Sequence, residues 1–184
     1  IRCVLLEGKV LSRKLKPIPN RYIRNTLESN LTKNAVLFDG ELIIEGKTFN
    51  EIQSAVMSEE GEPDFKYVVF DLMESWYDIG YKQRIKLFPF PFLGLPFIKT
   101  LNYREVDSKE ELLEWEQYIL KDGYEGIILR GLNSSYKFGR STLNEQSLMK
   151  FKRFQDSEAI ILSSNELLTN TNILESDELG YAKR

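Results

Sequence analysis

Residues 67–73 constrain this chain most tightly. They read Tyr-Val-Val-Phe-Asp-Leu-Met, nearly all apolar and β-prone, without the alternation of a strand that has one wet face. A central, buried strand is expected there, covered on both sides by other elements. Asp71 is out of place in such a strand.

The other segments supply the cover. Residues 4–6 and 10–12 flank Glu7-Gly8-Lys9 and read as a hairpin with glycine in its turn. Pro17 and Pro19 break the chain, and Asn20 can cap a helix running to about Ser29, with Tyr22, Ile23 and Leu27 as its inner stripe. Residues 35–44 read as a strand interrupted by Asp39-Gly40-Glu41, and Phe49, Ile52 and Val56 are spaced for a short amphipathic helix. Residues 81–88 suit a helix with Lys82, Arg84 and Lys86 exposed. Residues 88–97 hold three prolines among phenylalanines, which points to a packed loop, with a surface for a partner as the alternative. A strand is expected over 98–106. Ser108 and Glu111 have capping-box spacing for a helix to about Lys121 that buries Leu112, Trp115, Ile119 and Leu120 and ends at Gly123. A further strand is expected to start over 158–162, after an acidic break at Asp156. Strands and helices do not alternate regularly. The expected class is therefore α+β, with two packed, largely antiparallel sheets flanked by helices.

Composition narrows the chemistry. The 184 residues are 42% hydrophobic and 29% charged, which suits one globular domain with the start of another. With no histidine and one cysteine, Cys3, the chain has no His-based triad, no His-ligated zinc and no internal disulfide. The net charge of −3 gives no bulk attraction to nucleic acid, so any DNA contact must come from a local patch. No apolar run approaches membrane-spanning length, and a reducing, cytoplasmic compartment is expected.

Two stretches carry candidate chemistry. Residues 124–130, Tyr-Glu-Gly-Ile-Ile-Leu-Arg, read as a strand with a carboxylate, Glu125, at its start. Residues 148–152, Leu-Met-Lys-Phe-Lys, alternate, so Lys150 and Lys152 point to one side. Two like charges on one face repel, and an anion over that face reverses the effect. A carboxylate beside them can hold a divalent cation. The plainer alternative is a solvated strand face with two ordinary lysines.

Five signals stand in order: Ser12-Arg13, Asp39-Gly40-Glu41-Leu42, Val69-Phe70-Asp71, Glu125-Gly126-Ile127-Ile128-Leu129-Arg130 and Leu148-Met149-Lys150-Phe151-Lys152. The ordered set resembles the nucleotidyltransferase motifs of ATP-dependent DNA ligases, most closely the short bacteriophage-type and bacterial ones, and spans almost the whole chain. The resemblance implies an ATP-grasp-like nucleotidyltransferase (adenylation) domain over residues 1–154. It also implies the beginning of an oligonucleotide-binding (OB-fold) barrel over 155–184.

In that family a lysine attacks the α-phosphate of ATP to form a lysyl-adenylate. AMP passes to the 5′-phosphate at a DNA nick, and the 3′-hydroxyl then displaces it. Fixed cations should dominate such chemistry. By resemblance, Lys150 and Lys152 contact the adenylate phosphate and are the catalytic candidates. Glu125 binds the catalytic Mg²⁺, with Glu41 near ribose and metal, and Phe70 stacks on adenine. Arg2 and Arg13 lie near the triphosphate or the nick phosphate, and Lys137 and Arg140 contact the DNA backbone. The implied partners are ATP and nicked duplex DNA, with no membrane, and the implied state is a monomer.

One departure stands out. The family's nucleophile lies in a Lys-x-Asp-Gly motif just before the residues matching Ile1-Arg2, and no such motif occurs in these 184 residues. The chain therefore reads as a fragment that does not adenylate itself. An RNA ligase or mRNA-capping-type enzyme, or a non-catalytic nucleotide- or nucleic-acid-binding module, are the competing readings. Glu125-Gly126-Ile127, where capping enzymes typically have Asp-Gly-Leu, favours a ligase.

Overall fold

The computed structural model describes residues 1–31, 37–73, 79–87, 94–154 and 156–166, and the backbone of 175–176 and 182–183. Two compact units are present, Ile1–Arg153 and Phe154–Arg184.

The first unit is built on a five-stranded sheet. Strands β1 (Arg2–Leu6) and β2 (Lys9–Ser12) form the expected hairpin, with Gly8 at φ +76° in its turn. β3 (Phe38–Ile44) runs antiparallel to β1 and to β4 (Phe65–Leu72), and β5 (Ile98–Thr100) runs parallel to β4. The sheet order is β2-β1-β3-β4-β5, so β4 is internal as its apolar run requires. β3 runs unbroken through Asp39-Gly40-Glu41. The interruption expected there is a register shift between Asp39 and Gly40. Residues 35–36 and 88–93 lie outside the described residues.

Helix α1 (Arg21–Leu31) is capped by Asn20, whose side-chain oxygen accepts from the Ile23 amide at 2.9 Å. Ile23, Leu27 and Leu31 face the core, whereas Tyr22 is 40% exposed and stacks edge-on against Phe65. The 3.6-residue period favours Leu31 over Tyr22 as the third core position. Helix α2 (Phe49–Met57) starts in a full capping box between Thr48 and Glu51 and buries Val56, leaving Phe49 exposed. Together with Cys3, Leu5, Val10, Phe38, Leu42, Tyr67 and Val69, these residues form the main core.

Helix α3 (Tyr81–Lys86) corrects an expectation. Arg84 is 2% exposed, not solvent-facing, because it is the partner of buried Asp71. β5 is also shorter than expected. Beyond Thr100 no pairing with β4 continues, and residues 101–105 are exposed. Helix α4 (Lys109–Lys121) begins at Ser108, whose hydroxyl accepts from the Glu111 amide. The reciprocal bond goes to the Asp107 amide instead of that of Ser108. Leu112, Trp115 and Ile119 are only half-buried and Leu120 is exposed. The buried residue is Glu116, held by both nitrogens of an Arg153 fork at 2.8 and 2.6 Å.

β6 (Gly126–Arg130) and β7 (Leu148–Lys152) form a separate antiparallel ribbon. In the second unit, β8 (Glu175–Ser176) pairs with β9 (Ala182–Lys183). The strand expected over 158–162 is absent. Ile160, Ile161 and Leu162 are at least 87% exposed, and β-prone residues form no strand without a neighbour to pair with.

Candidate active site

One half of the site lies on the sheet. Arg2 and Glu41 are cross-strand partners on β1 and β3, so their side chains leave the same face, as do Val4 and Asp39 two pairs further on. Arg2 grips Asp39 with two bonds, Nε to Oδ1 at 3.0 Å and Nη2 to Oδ2 at 2.5 Å, and its guanidinium lies 5.8 Å from the Phe70 ring centre. Burial pulls the Arg2 guanidinium down, but the Asp39 bond and charge outweigh it and leave it above its ordinary value. Phe70 reaches this face by alternation, since Val68, two residues before it, is the partner of Glu41, and it is half-buried and not sealed in the core. Asp39 pairs with Asp71 and Gly40 with Val69, so Phe70 is the extra residue of a bulge that turns Asp71 to the same face. Gly40 is forced by packing, since a Cβ there would meet Val68 O at 2.5 Å and the Tyr67 ring at 2.6 Å. Glu41 is half exposed and accepts from the Ile1 amino group at 3.0 Å.

The other half lies on the ribbon. Ile128 pairs with Lys150 and Gly126 with Lys152, so both lysines leave one face as the alternation requires. Lys152 Nζ donates to Glu125 Oε2 at 2.6 Å. That hydrogen bond, then the charges of Lys152 and Lys150, hold the Glu125 carboxyl below its ordinary range. Lys150 is therefore close enough to act on the same carboxylate, and it has no ion-pair partner among the described residues. Gly126 makes the approach possible, because a Cβ would lie 2.4 Å from Phe151 O. Among the described residues no group of three or more His, Cys, Asp or Glu side chains could hold a metal ion, so any cation would rest on single carboxylates.

Two buried carboxylates join the halves. Asp39 and Asp71 are 0% and 1% exposed. Tyr136 donates its phenol to Asp39 Oδ2 at 2.8 Å, and burial followed by the Asp39 charge pushes that phenol up. Asp71 accepts from Arg84 through Nε at 2.8 Å and Nη2 at 3.1 Å, from the Leu72 amide at 2.8 Å, and from Arg130 of β6. A buried charge is tolerated only with such compensation.

The structure thus brings Arg2, Glu41 and Phe70 to one face, and Glu125, Lys150 and Lys152 to one ribbon. It does not bring the remaining candidates into contact with either group. Arg13 is exposed in the turn after β2 and Arg140 is exposed in the loop before β7, each without an ion-pair partner among the described residues, and Lys137 pairs with Glu145. Reading the sequence alone misses Asp39, Arg84, Arg130 and Tyr136. Asp39 and Arg130 stand inside the ordered motifs, and the further signal was Asp71, a charge in an apolar strand that had to find cationic partners.

A mixed α+β domain of this topology, with paired lysines facing a carboxylate, is a nucleotidyltransferase domain. The family model for the ATP dependent DNA ligase domain matches residues 6–152, and the chain belongs to that family. The DNA ligase of African swine fever virus (isolate Tick/South Africa/Pretoriuskop Pr4/1996) is 28% identical over 133 residues, covering 69% of this chain and 31% of the viral protein. The structure of Chlorella virus DNA ligase-adenylate superposes with a TM-score of 0.75 and 34% identity, covering 92% of this chain and 64% of that one. A Lig E DNA ligase shares the fold, with a TM-score of 0.72 at 21% identity over 100% of this chain and 72% of that one. The chain spans about a third of the length of the curated relatives it matches. No helix among the described residues is long and apolar enough to cross a membrane.

Proposed function

We propose that this chain is most of the adenylation domain of a DNA ligase that uses ATP to seal nicks in duplex DNA. The observation carrying this reading is the convergence of Lys152, Lys150 and Glu125 on one ribbon of a chain that belongs to the ligase family. The nucleophilic lysine belongs to a Lys-x-Asp-Gly motif outside these 184 residues. The chain alone therefore binds nucleotide without forming the lysyl-adenylate.

Lys150 and Lys152 face the phosphates. Their fixed charge opposes the negative charge that builds on the phosphorus as the attacking and leaving groups exchange, which is where electrostatic preorganisation acts most strongly. Lys152 is held for this by Glu125. Phe70 offers a ring to the adenine, with Arg2 lying over that ring and fixed by Asp39. Glu41 faces the ribose from the same side as Arg2. Glu125 offers one hard oxygen set, which fits Mg²⁺, an ion that keeps most of its waters and is bound through one or two carboxylates plus phosphate; Glu41 is the second candidate. When bound, that ion neutralises phosphate charge. Arg13 serves the triphosphate or the nick phosphate, and Lys137 and Arg140 contact the DNA backbone; Arg13 and Arg140 are exposed as such roles need, and Lys137 is half-buried beside Glu145. Residues 155–184 begin an OB-fold barrel. The enzyme acts as a monomer in the cytoplasm.

The test uses protein extended upstream of Ile1 to include the Lys-x-Asp-Gly motif. With α-labelled ATP it should acquire acid-stable label and then seal a nicked duplex, and GTP should not replace ATP. Absence of protein-bound label with the motif present would sink the proposal.

A further inference from the structure

We propose that Arg130 is a positioning residue: its bond to Asp71 turns the lysine-bearing face of the β6–β7 ribbon toward the strand that carries Phe70. This inference rests on the nucleotide-binding reading above.

Asp71 has more donors than its burial requires. Arg84 alone engages both oxygens of Asp71, at 2.8 and 3.1 Å, and the Leu72 amide adds a third bond at 2.8 Å. Burial of the carboxylate is thus already compensated. Arg84 is itself a structural cation. Its Nη1 also donates to Ile79 O at 2.5 Å and Ser134 O at 2.8 Å, and its side chain is 3% exposed. Arg130 arrives as a second guanidinium on the same carboxylate, 59 residues away in sequence, with its own flat face 4.7 Å from the Tyr81 ring centre. The fold of β4 does not need it.

Geometry says what it does instead. In the antiparallel ribbon, Arg130 pairs with Leu148, Ile128 with Lys150 and Gly126 with Lys152. Paired residues leave the same face, and residues two apart on a strand share it. Arg130, Lys150 and Lys152 therefore project from one face of the ribbon. Anchoring Arg130 to Asp71 aims that whole face at β4. Asp71 is covalently next to Phe70, and Asp39, the cross-strand partner of Asp71, grips the Arg2 that lies over the Phe70 ring. One ion pair thereby ties the register of the phosphate-side lysines to the adenine-side ring.

The test is a double-substitution cycle on the 184-residue chain, with ATP affinity read by titration calorimetry. Arg130→Ala should keep the far-UV circular dichroism of the parent and weaken ATP about tenfold, the size expected for losing one charged hydrogen bond's worth of orientation. Arg130→Lys should recover most of the affinity. Lys150→Ala should weaken ATP in the parent background but have a much smaller effect in Arg130→Ala, because a lysine that is no longer aimed has less to lose. Wild-type affinity in Arg130→Ala, or losses that multiply in the double variant, would overturn the inference. Should Arg130→Ala not fold, Arg130→Gln carries the same cycle. A parent chain that does not bind ATP, or a Lys150→Ala chain that binds it normally, would instead overturn the nucleotide reading, and this inference with it.

Discussion

Lys152 sets its ammonium 2.6 Å from the carboxylate of Glu125, across 27 residues of sequence and one strand pair. The contact is exposed, and exposed ion pairs contribute at most about 1 kcal/mol to folding. Its value lies in where it holds the lysine.

Lys150→Ala should therefore abolish adenylate formation in the protein extended to include the nucleophile while changing stability by less than about 0.5 kcal/mol. Label transfer from ATP and a thermal melt check the two halves. Normal label transfer would remove Lys150 from the site.

Asp39 behaves differently because it is buried. Asp39→Ala strands the Arg2 guanidinium and the Tyr136 phenol, both of which it binds. Arg2 is partly exposed, which softens the loss, so destabilisation of about 2–3 kcal/mol is expected in urea titrations. A variant as stable as the parent would show that the network contributes nothing to the fold.

The capping box of α2 sets a pH dependence. The Thr48 backbone bond, then the Lys47 and Thr48 side chains, hold Glu51 down to about 2 from an ordinary 4.5. A depressed acid stabilises the fold fully above its unfolded value and loses that contribution as pH falls through its folded value. The start of α2 should therefore loosen between about pH 4.5 and 2. A carboxyl NMR titration of Glu51 should show a midpoint near 2, shifting upward in Thr48→Ala. An ordinary midpoint in the parent would contradict the box.

Cys3 is fully buried in the core, and burial pushes its thiol up to about 12. It should resist alkylation at pH 8 in the native protein and react at once in denaturant. Native labelling at the rate of a free thiol would mean that β1 opens readily.

Much of this was legible locally. The β1–β2 turn, the Asn20 cap, the central β4 and the same-side lysines follow from turn chemistry and strand period, which act over a few residues. The ordered motifs also pointed to the ligase family, which the match over residues 6–152 bears out. Local patterning failed at Arg84. On a six-residue helix a lone arginine between lysines reads as solvent-facing, yet it is buried against Asp71, 13 residues back.

By itself, then, the sequence determined most strands and helices of the first unit, though not the extent of β5 or the strand expected over 158–162, and it showed that Asp71 lacked a local partner. Only the tertiary structure decided that Arg84 and Arg130 would answer it, and that a bulge would turn Asp71 onto the face shared by Arg2, Glu41 and Phe70. The reason is that propensity and periodicity are properties of neighbours along the chain. The cost of a buried charge is instead met by whatever the fold brings within hydrogen-bond reach, at any separation in sequence.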